Sequence, residues 1–432
     1  MANILEISEA IAEYIKTKEN VKADFSVSEI EQHEITMKDG KFTLFRTLFD
    51  NNIDIKVIKD NKKGTTSTNN VTVEAAKAAV DAVIASAEVG SPDENFDIAP
   101  SLEPEKFSLG VLTPDIEKLM ERTKELADDI AEKHKKIKLM EMFTKYVHGH
   151  VIFMNTNGTR DEKEYGFYEV AIDFAGNDGE KSTGIAESYV ILDSLDDRLI
   201  NAGSIEKDFT DAENSLNPLR ISDKFEGDCI VTPGCAAQLI GGVLANAITD
   251  YVLINNTSTW IGKLGEQVAS PLLTVRSNPW DERIINHEIH TCDGFRSENY
   301  DIIEKGVLKS YAASLYAANK CGLEHAPNSS FDLVVDAGDT AFEDMIKSIK
   351  KGLIIGSISA GAPGANGEMS GVAKNAFYIE NGEIKGAVIE TMISGNIFDM
   401  LKNIKAISKE QLCDGQMVMP YLQIGNVTIS GN

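Results

Sequence analysis

This 432-residue sequence lacks three features: long apolar runs, paired cysteines and an excess of basic residues. No stretch approaches the roughly 18 consecutive apolar residues that a membrane span requires. The five cysteines form no CxxC pair, which predicts reduced thiols and no disulfide framework. The 42 lysines and arginines stand against 68 aspartates and glutamates, a net charge of −26. We therefore expect neither a membrane protein nor a protein that binds nucleic acid directly.

The length and the ends of the sequence indicate where the protein works and how it is divided. Glu6 and Glu9 interrupt the apolar residues at the start, so a signal peptide is not predicted and a cytoplasmic location is expected. Single cores stop growing near ~250 to 300 residues, which favours two domains. The polar stretch 207–224 has one proline and no sustained period. We place the cut near Asp223, giving domains 1–222 and 223–432.

Helix and strand patterns alternate through the first half of the sequence. Thr72 is expected to cap a helix that ends near Val89, and Thr113 to cap another that ends near His134. Residues 24–60 read as antiparallel strands with a hairpin turn. A helix at the start is predicted by isoleucines at three- and four-residue spacing, namely Ile4, Ile7, Ile11 and Ile15. The expected amino-terminal domain is therefore helices packed on mainly antiparallel strands.

The second half is predicted to be mostly antiparallel β-structure around one buried helix. A strand at 229–231 and a turn at Pro233-Gly234 precede a helix at 235–248 that is rich in alanine, leucine and isoleucine. The glycine-rich run 352–371 lacks GxxxxGK[ST], so we expect a turn-rich loop there. Its glycines permit close backbone approach, which makes it a candidate wall for an extended peptide. The fold class expected for the whole chain is α+β.

One short segment concentrates residue types that bind zinc. His287, His290 and Cys292 lie in NHEIHTCDG, where the spacing is HExH and not the HExxH of zincins. In a strand the two histidines would point to opposite faces, so polar strand or loop residues are the simpler interpretation. His148 and His150 would share a strand face, but no third ligand accompanies them. No GxSxG elbow occurs either.

Six segments in a fixed order resemble the TldD/PmbA family, the so-called modulators of DNA gyrase that form an intracellular metalloprotease. The resemblance spans nearly the whole chain. Three of the segments are STWIGKLGEQVASPLLTV, DGFRSENYDIIEKGVLKSY and GEMSGVAKNAFYIENGEIKGAV. The six together occupy residues 53–70, 258–275, 293–311, 367–388, 393–404 and 424–431.

The resemblance implies a zinc site that this sequence departs from. In the family, the TldD-type subunit carries HExxxH on the helix after the first strand of the carboxyl-terminal domain, and a cysteine near the carboxyl terminus completes the site. Aligned on GDCIVTPGCAAQLIGGVLAN, those positions fall on Gly241, Gly242 and Asn246, and residues 151–286 contain no histidine. Cys413 matches the family's cysteine but cannot hold zinc alone. The chain is thus similar to the PmbA/TldE side of the family, with no cofactor of its own.

The resemblance also implies partners and a role. A metal-bearing TldD-type subunit is the expected partner, or a second copy in its absence, and the zinc belongs to that partner. The pair would enclose a chamber for unfolded or extended peptides, which this chain would position. The candidate peptide contacts are Gly361, Gly364, Gly367 and Ser370.

Two alternatives from other functional classes stay open at this point. One is a free-standing zinc hydrolase that uses His287 and His290 with Cys292 or Cys413. The other is a regulatory binding protein without proteolytic activity.

Overall fold

The first half of the chain is built on one sheet. The structure is a computed structural model, and it describes residues 3–431. Within those residues the sheet has seven strands in the order β3-β2-β1-β5-β6-β4, with β7 paired to β6. Only β4 and β6 run parallel. The strands are β1 (Val21–Lys38), β2 (Lys41–Lys59), β3 (Lys62–Thr68), β4 (Lys106–Gly110), β5 (Ile137–Asn155), β6 (Arg160–Gly176) and β7 (Ala186–Leu192).

Four helices cover one face of this sheet. They are α1 (Ile4–Lys16), α2 (Val73–Val89), α3 (Ile116–Lys133) and α4 (Ile205–Asn214). Helices α1 and α2 bury Phe25 and Val27 at one end of β1, and α3 covers Ile35 and Met37 at the other. All four β1 residues have odd numbers, because side chains alternate between the faces of a strand. The even-numbered residues of β1 therefore face the opposite side.

The predicted helix starts are confirmed for α2 and shifted for α3. Thr72 caps α2, its hydroxyl accepting a hydrogen bond from the backbone N–H of Ala75 at 3.2 Å. The prediction that Thr113 caps α3 is wrong. Asp115 is the cap, and its carboxylate accepts from the N–H of Lys118 at 2.9 Å. An aspartate so close to the first turn is an equally good cap, and sequence spacing alone does not separate the two.

The stretch 207–224, the candidate boundary, shows no sustained period in the sequence, but α4 extends into it as far as Asn214. Ile205, Phe209 and Ala212 form its buried face, and the ring of Phe209 meets Phe174 edge-on at 4.7 Å. The first of these residues lies outside the polar stretch, which hides the helical period. The last strand of the first sheet ends at 192 and the next sheet begins at 224. The exact domain cut stays a prediction.

The second half contains a larger sheet, part of which closes on itself. In residues 3–431 it has eleven strands, and the pairing of β8 with both β13 and β18 closes β8, β13, β14, β16 and β18 into a ring. Most neighbours are antiparallel, which confirms the α+β class. The strands are β8 (Lys224–Val231), β9 (Val275–Ser277), β10 (Tyr300–Glu304), β11 (Val307–Leu308), β12 (Leu333–Val335), β13 (Lys351–Ala360), β14 (Glu368–Glu380), β15 (Glu383–Val388), β16 (Met392–Asn396), β17 (Ile404–Cys413) and β18 (Val418–Ser430).

One long helix packs on this sheet, as the sequence predicts. Its first residue is Pro233, so the expected turn at Pro233-Gly234 is wrong; proline suits the first helical position because it lacks an N–H and has a fixed φ. The helices here are α5 (Pro233–Ala247), α6 (Asp250–Ile254), α7 (Leu315–Cys321), α8 (Phe342–Ser348) and α9 (Ile397–Lys402). No helix in residues 3–431 combines the length and apolar character needed to cross a membrane.

The two halves are tied together by polar and aromatic contacts. Phe96, in the connection after α2, stacks on Tyr316 of α7 at 4.7 Å between ring centroids. Next to it, Lys320 pairs with Asp93 at 2.7 Å. A second tie joins β6 to residues 290–296 on the face of the first sheet that α1 to α4 leave uncovered.

Candidate functional site

At the positions aligned with the family's HExxxH, helix α5 carries two glycines and one asparagine. Its buried side, including Leu239, Ile240 and Val243, packs into the core of the second half. Gly241 and Gly242 are half-buried, and a Cβ on either would meet no atom within 4 Å. There is thus room for side chains that this sequence does not supply.

The third aligned position, Asn246, is occupied with its own helix. Its side-chain amide donates to the carbonyl of Gly242 at 2.9 Å. Glycine offers no donor atom, and an amide engaged in this way is a poor substitute for imidazole. The residues at these positions therefore do not fit zinc.

The glycine-rich run is mostly strand and not the turn-rich loop that its composition predicts. Residues 351–360 form β13, which pairs antiparallel with β14, so the connecting loop is only 361–367. Apolar residues dominate the first part of β13, where Leu353 and Ile355 are buried in the core. Their contribution outweighs the turn preference of glycine because burial of apolar surface stabilises the strand.

The four predicted peptide contacts lie together, but they differ in exposure. Gly361, Gly364 and Ser370 are exposed, whereas Gly367 is buried. Gly367 has a φ of +86°, and a Cβ there would lie 2.5 Å from the ring of Phe398. Gly367 therefore has a structural role, since only glycine adopts that turn conformation without strain. The exposed three remain candidates for contact with a peptide.

Past residue 355, where the pairing of β13 with β8 ends, side chains hydrogen-bond to the backbone at the edge of β13. Gln238 of α5 donates to the carbonyl of Ile358 at 2.8 Å and accepts from its N–H at 3.1 Å. Thr232 donates its hydroxyl hydrogen to the carbonyl of Gly356 at 3.1 Å. These groups are the ones that an added strand would use, so a peptide cannot pair with β13 here by the usual ladder. Sequence reasoning missed Gln238, whose signal is a lone long polar side chain in a helix of small and apolar residues.

The two histidines proposed as zinc ligands point to different partners. His287 Nδ1 lies 2.5 Å from the carbonyl oxygen of Pro279, and its ring stacks on Trp280 at 5.3 Å. His290 Nε2 lies 2.6 Å from a carboxylate oxygen of Asp161, and burial lowers the pKa of His290. The structure thus does not bring these two imidazoles to a common point.

The candidate cysteines lie in separate places. Cys292 is exposed, and Cys413 lies at the end of β17, packed with Ile284, Val334 and Val418. The Cys413 thiol is 3.3 Å from the carbonyl of Arg283, and burial raises its pKa, which opposes the thiolate form that binds metals.

The remaining histidine pair also has a simple structural role. His148 and His150 share one face of β5, as expected, and each imidazole lies 3.0 Å from a glutamate of β6, Glu164 and Glu162 respectively. Across residues 3–431, no group of three or more histidine, cysteine, aspartate or glutamate side chains is arranged to hold a metal ion.

Sequence reasoning also missed Asp161, which organises the junction between the two halves. Its side chain is 1% exposed and accepts from Arg296 at 2.6 Å as well as lying 2.6 Å from His290. Its other oxygen accepts from the N–H of Glu105 at 2.8 Å. His290 and Arg296 lie 129 and 135 residues further along the chain than Asp161, so no local sequence pattern predicts this cluster.

Comparison with known proteins places these features in a family. The family model for the PmbA/TldA metallopeptidase C-terminal domain matches residues 225–431, and that for PmbA/TldA metallopeptidase domain 1 matches residues 23–87. The chain belongs to the PmbA/TldD family. The first match begins one residue after the start of β8, and the second begins two residues into β1 and runs through β2 and β3 to most of α2.

Individual PmbA/TldD relatives match over most of the chain at low identity. A metalloprotease PmbA homolog of Haemophilus influenzae is 24% identical over 97% of this chain and 94% of its own. A metalloprotease of Methanocaldococcus jannaschii is 24% identical over 90% of each chain. Among solved structures, TldE from Thermococcus kodakarensis is 21% identical, with a TM-score of 0.85 over 98% of this chain and 100% of its own. This last likeness shows that the fold is shared.

Proposed function

We propose that this chain is the metal-free subunit of a TldD/TldE-type metalloprotease, in which it positions peptides for a zinc-bearing partner. The observation that carries the proposal is the identity of three residues on α5. Gly241, Gly242 and Asn246 stand where the family's zinc motif would lie, and none of them supplies a ligand that fits zinc. The metal-activated water of a zinc peptidase therefore has to come from another chain.

The loop between β13 and β14 supports a role in holding peptides. Gly361 and Gly364 are exposed, and a Cβ on Gly361 would meet no atom within 4 Å. A peptide backbone can approach such positions closely and bond to main-chain groups whatever its own sequence. Because Gln238 and Thr232 occupy the adjacent edge of β13, we assign this role to the loop and to exposed Ser370.

A second surface supports the need for a partner chain. Strand β3 pairs with β2 only from Ile53 onward, so residues 41–52 of β2, here called the β2 arm, form a sheet edge with no neighbour on that side in residues 3–431. Four large apolar side chains of the arm are exposed, namely Leu44, Phe45, Leu48 and Phe49 at 39%, 51%, 37% and 71%. An unpaired edge with exposed apolar groups favours association with another chain.

Co-expression tests the proposal. The chain is produced alone and together with an HExxxH-bearing relative from the same genome, and both preparations are assayed on unfolded peptide substrates. The proposal predicts a stable complex with peptidase activity and an inactive lone chain. Full activity in the lone chain would refute it, and a stable complex without peptidase activity would favour a regulatory binding protein.

A further inference from the structure

A groove runs between the two halves of the chain along β7. Its two parts have volumes of about 530 and about 410 Å³, and both are lined by Ile185, Ala186 and Asn375. Ile185 is 69% exposed, and Leu216 and Ile389 add further apolar surface to the larger part. Clefts that combine apolar walls with a few placed polar groups are where proteins commonly bind ligands.

The outer edge of β7 faces this groove with unpaired backbone groups. β7 pairs with β6 on one side, and the N–H of Ile191 turns the other way to donate to the carbonyl of Asp414 at 2.8 Å. In an antiparallel strand every second residue turns both backbone groups outward, so Glu187 and Tyr189 do the same. Within residues 3–431, neither residue has a backbone hydrogen-bond partner on that side. Unlike the edge of β13, this edge can therefore accept an added strand.

Carboxylates dominate one end of the groove. Four of them line it, namely Glu187, Asp208, Asp211 and Asp414. Glu187 is exposed, and the other three are partly buried. One ammonium, that of Lys207, lies among them and pairs with Asp211 at 2.5 Å. The amino-terminal end of α5 also reaches this place, but its partial charge of about half a unit offsets only a small part of the excess. This end of the groove therefore favours a cationic group.

Two polar atoms at this end line the same space without reaching each other. The hydroxyl groups of Ser188 and Ser204 donate to one oxygen of Asp208, at 2.5 and 2.7 Å, and in the described chain its other oxygen has no hydrogen-bond partner. The hydroxyl of Tyr421, a residue that is 9% exposed, has no partner there either. Burial, and then the charges of Asp211 and Asp208, raise the pKa of Tyr421 to about 12, so it stays protonated. Burial also raises the pKa of Asp208, and a cation beside it would lower that pKa again.

We propose that the groove binds an extended peptide as an added strand on β7, with a lysine or arginine side chain among the carboxylates. At roughly 3.3 Å per residue, the stretch 186–190 accommodates about five peptide residues. Main-chain hydrogen bonds to Glu187 and Tyr189 hold the peptide, and its ammonium or guanidinium donates to Asp208 and to the oxygen of Tyr421. Because it assigns a substrate class to the peptide-positioning role, this site rests on the proposed function, but the binding itself requires neither zinc nor a partner chain.

Binding of capped pentapeptides to the full chain alone tests this site. The peptide acetyl-Ala-Ala-Lys-Ala-Ala-amide and its counterpart with a central glutamate are titrated by isothermal titration calorimetry. The lysine peptide should bind at one site, and the glutamate peptide at least about tenfold more weakly, because it cannot donate charge-assisted hydrogen bonds to the carboxylates. Equal affinities, or no binding of the lysine peptide, would overturn the proposal. Since this assay contains no protease, such a failure would leave the co-expression result standing.

Charge reversal on the protein supplies a matched comparison. Glu187→Lys changes an exposed side chain of the groove and should weaken binding of the lysine peptide by about two- to fivefold, while it strengthens binding of the glutamate peptide. Glu180→Lys makes the same change at an exposed residue that lines neither part of the groove, and it should leave both affinities unchanged. Equal effects of the two variants would reveal a general charge effect and overturn the assignment.

Changes in the peptide backbone test the added strand without any protein variant. A set of lysine peptides, each with one N-methylated amide, removes one main-chain donor at a time. Pairing with β7 predicts weaker binding for methylation at alternate residues only, because every second residue of the peptide turns its N–H toward the edge. Equal sensitivity at every position, or at none, would overturn the proposal.

Discussion

The carboxylate of Asp161 on β6 lies 2.6 Å from Nε2 of His290 in the second half of the chain. The same oxygen accepts from Arg296 at 2.6 Å, so one buried acid joins two groups that lie on the opposite side of the junction. Asp161 and His290 also border a cavity of about 620 Å³ between the two halves of the chain.

Removal of this charge should loosen the junction. Asp161→Asn leaves Arg296 near a neutral group in a buried place, and loss of one partner of a buried pair costs about 3 kcal/mol. We expect the free energy of unfolding in urea to fall by about that amount. Glu105→Gln is the matched control, because Glu105 also pairs with Arg296 but is 56% exposed, and it should cost less than about 1 kcal/mol. Equal effects of the two changes would contradict a special role for Asp161.

The glycines of α5 should be replaceable in the lone chain. A Cβ at Gly241 or Gly242 meets no atom within 4 Å, and alanine is favoured over glycine in a helix by about 1 kcal/mol. We expect each change to alanine to raise the unfolding free energy by about 0.5 to 1 kcal/mol. If a peptide or a partner chain contacts α5 at Gly241 and Gly242, the same changes should slow the assembled protease. Unchanged turnover with raised stability would show that the open space has no role in the complex.

The β2 arm should be needed for assembly and not for folding. Phe45→Ser and Phe49→Ser remove side chains that are 51% and 71% exposed, so the lone chain should keep its stability to within about 0.5 kcal/mol. Each buried phenylalanine contributes about 1.5 to 3 kcal/mol to an interface, so association should weaken at least about tenfold per change. Light scattering after size exclusion measures this. Val89→Ser, at an isolated residue that is 88% exposed, is the control and should leave assembly intact.

The loop between β13 and β14 allows a test of substrate positioning that spares the fold. Gly361→Val adds a side chain in open space, so we expect normal stability but several-fold slower peptide cleavage by the complex. Gly184→Val is the control, since that glycine is also exposed with open space around it. Gly367→Val should instead destabilise the chain through its φ of +86° and its contact with Phe398. Normal cleavage by the complex that carries the Gly361 variant would contradict a role for this loop in holding peptides.

Local patterns in the sequence predicted the fold well where the relevant partners are near in the chain. The isoleucines of α1, the cap of α2 and the burial of α5 follow from helical spacing and capping chemistry. The errors have a common cause. Residues 207–214 show no helical period by themselves because Ile205 lies outside the polar stretch. The glycines of β13 favour a turn prediction, although the strand is stabilised by distant neighbours.

The site was predictable only in part for the same physical reason. The alignment of Gly241, Gly242 and Asn246 requires no knowledge of long-range contacts. In contrast, Asp161 meets His290 and Lys163 meets the carbonyl of His287 across more than a hundred residues. Hydrogen bonds between such distant residues leave no periodic signal in either segment, so they emerge only from the folded chain.

The metal content of the purified protein tests the central claim most directly. Zinc is quantified by mass spectrometry in the lone chain and in the complex with an HExxxH-bearing partner. We predict no bound zinc in the lone chain and about one ion per complex, retained when His290 or Cys413 of this chain is replaced and lost when the partner's motif is removed. Stoichiometric zinc in the lone chain, lost on replacement of His287, His290 or Cys413, would contradict the account.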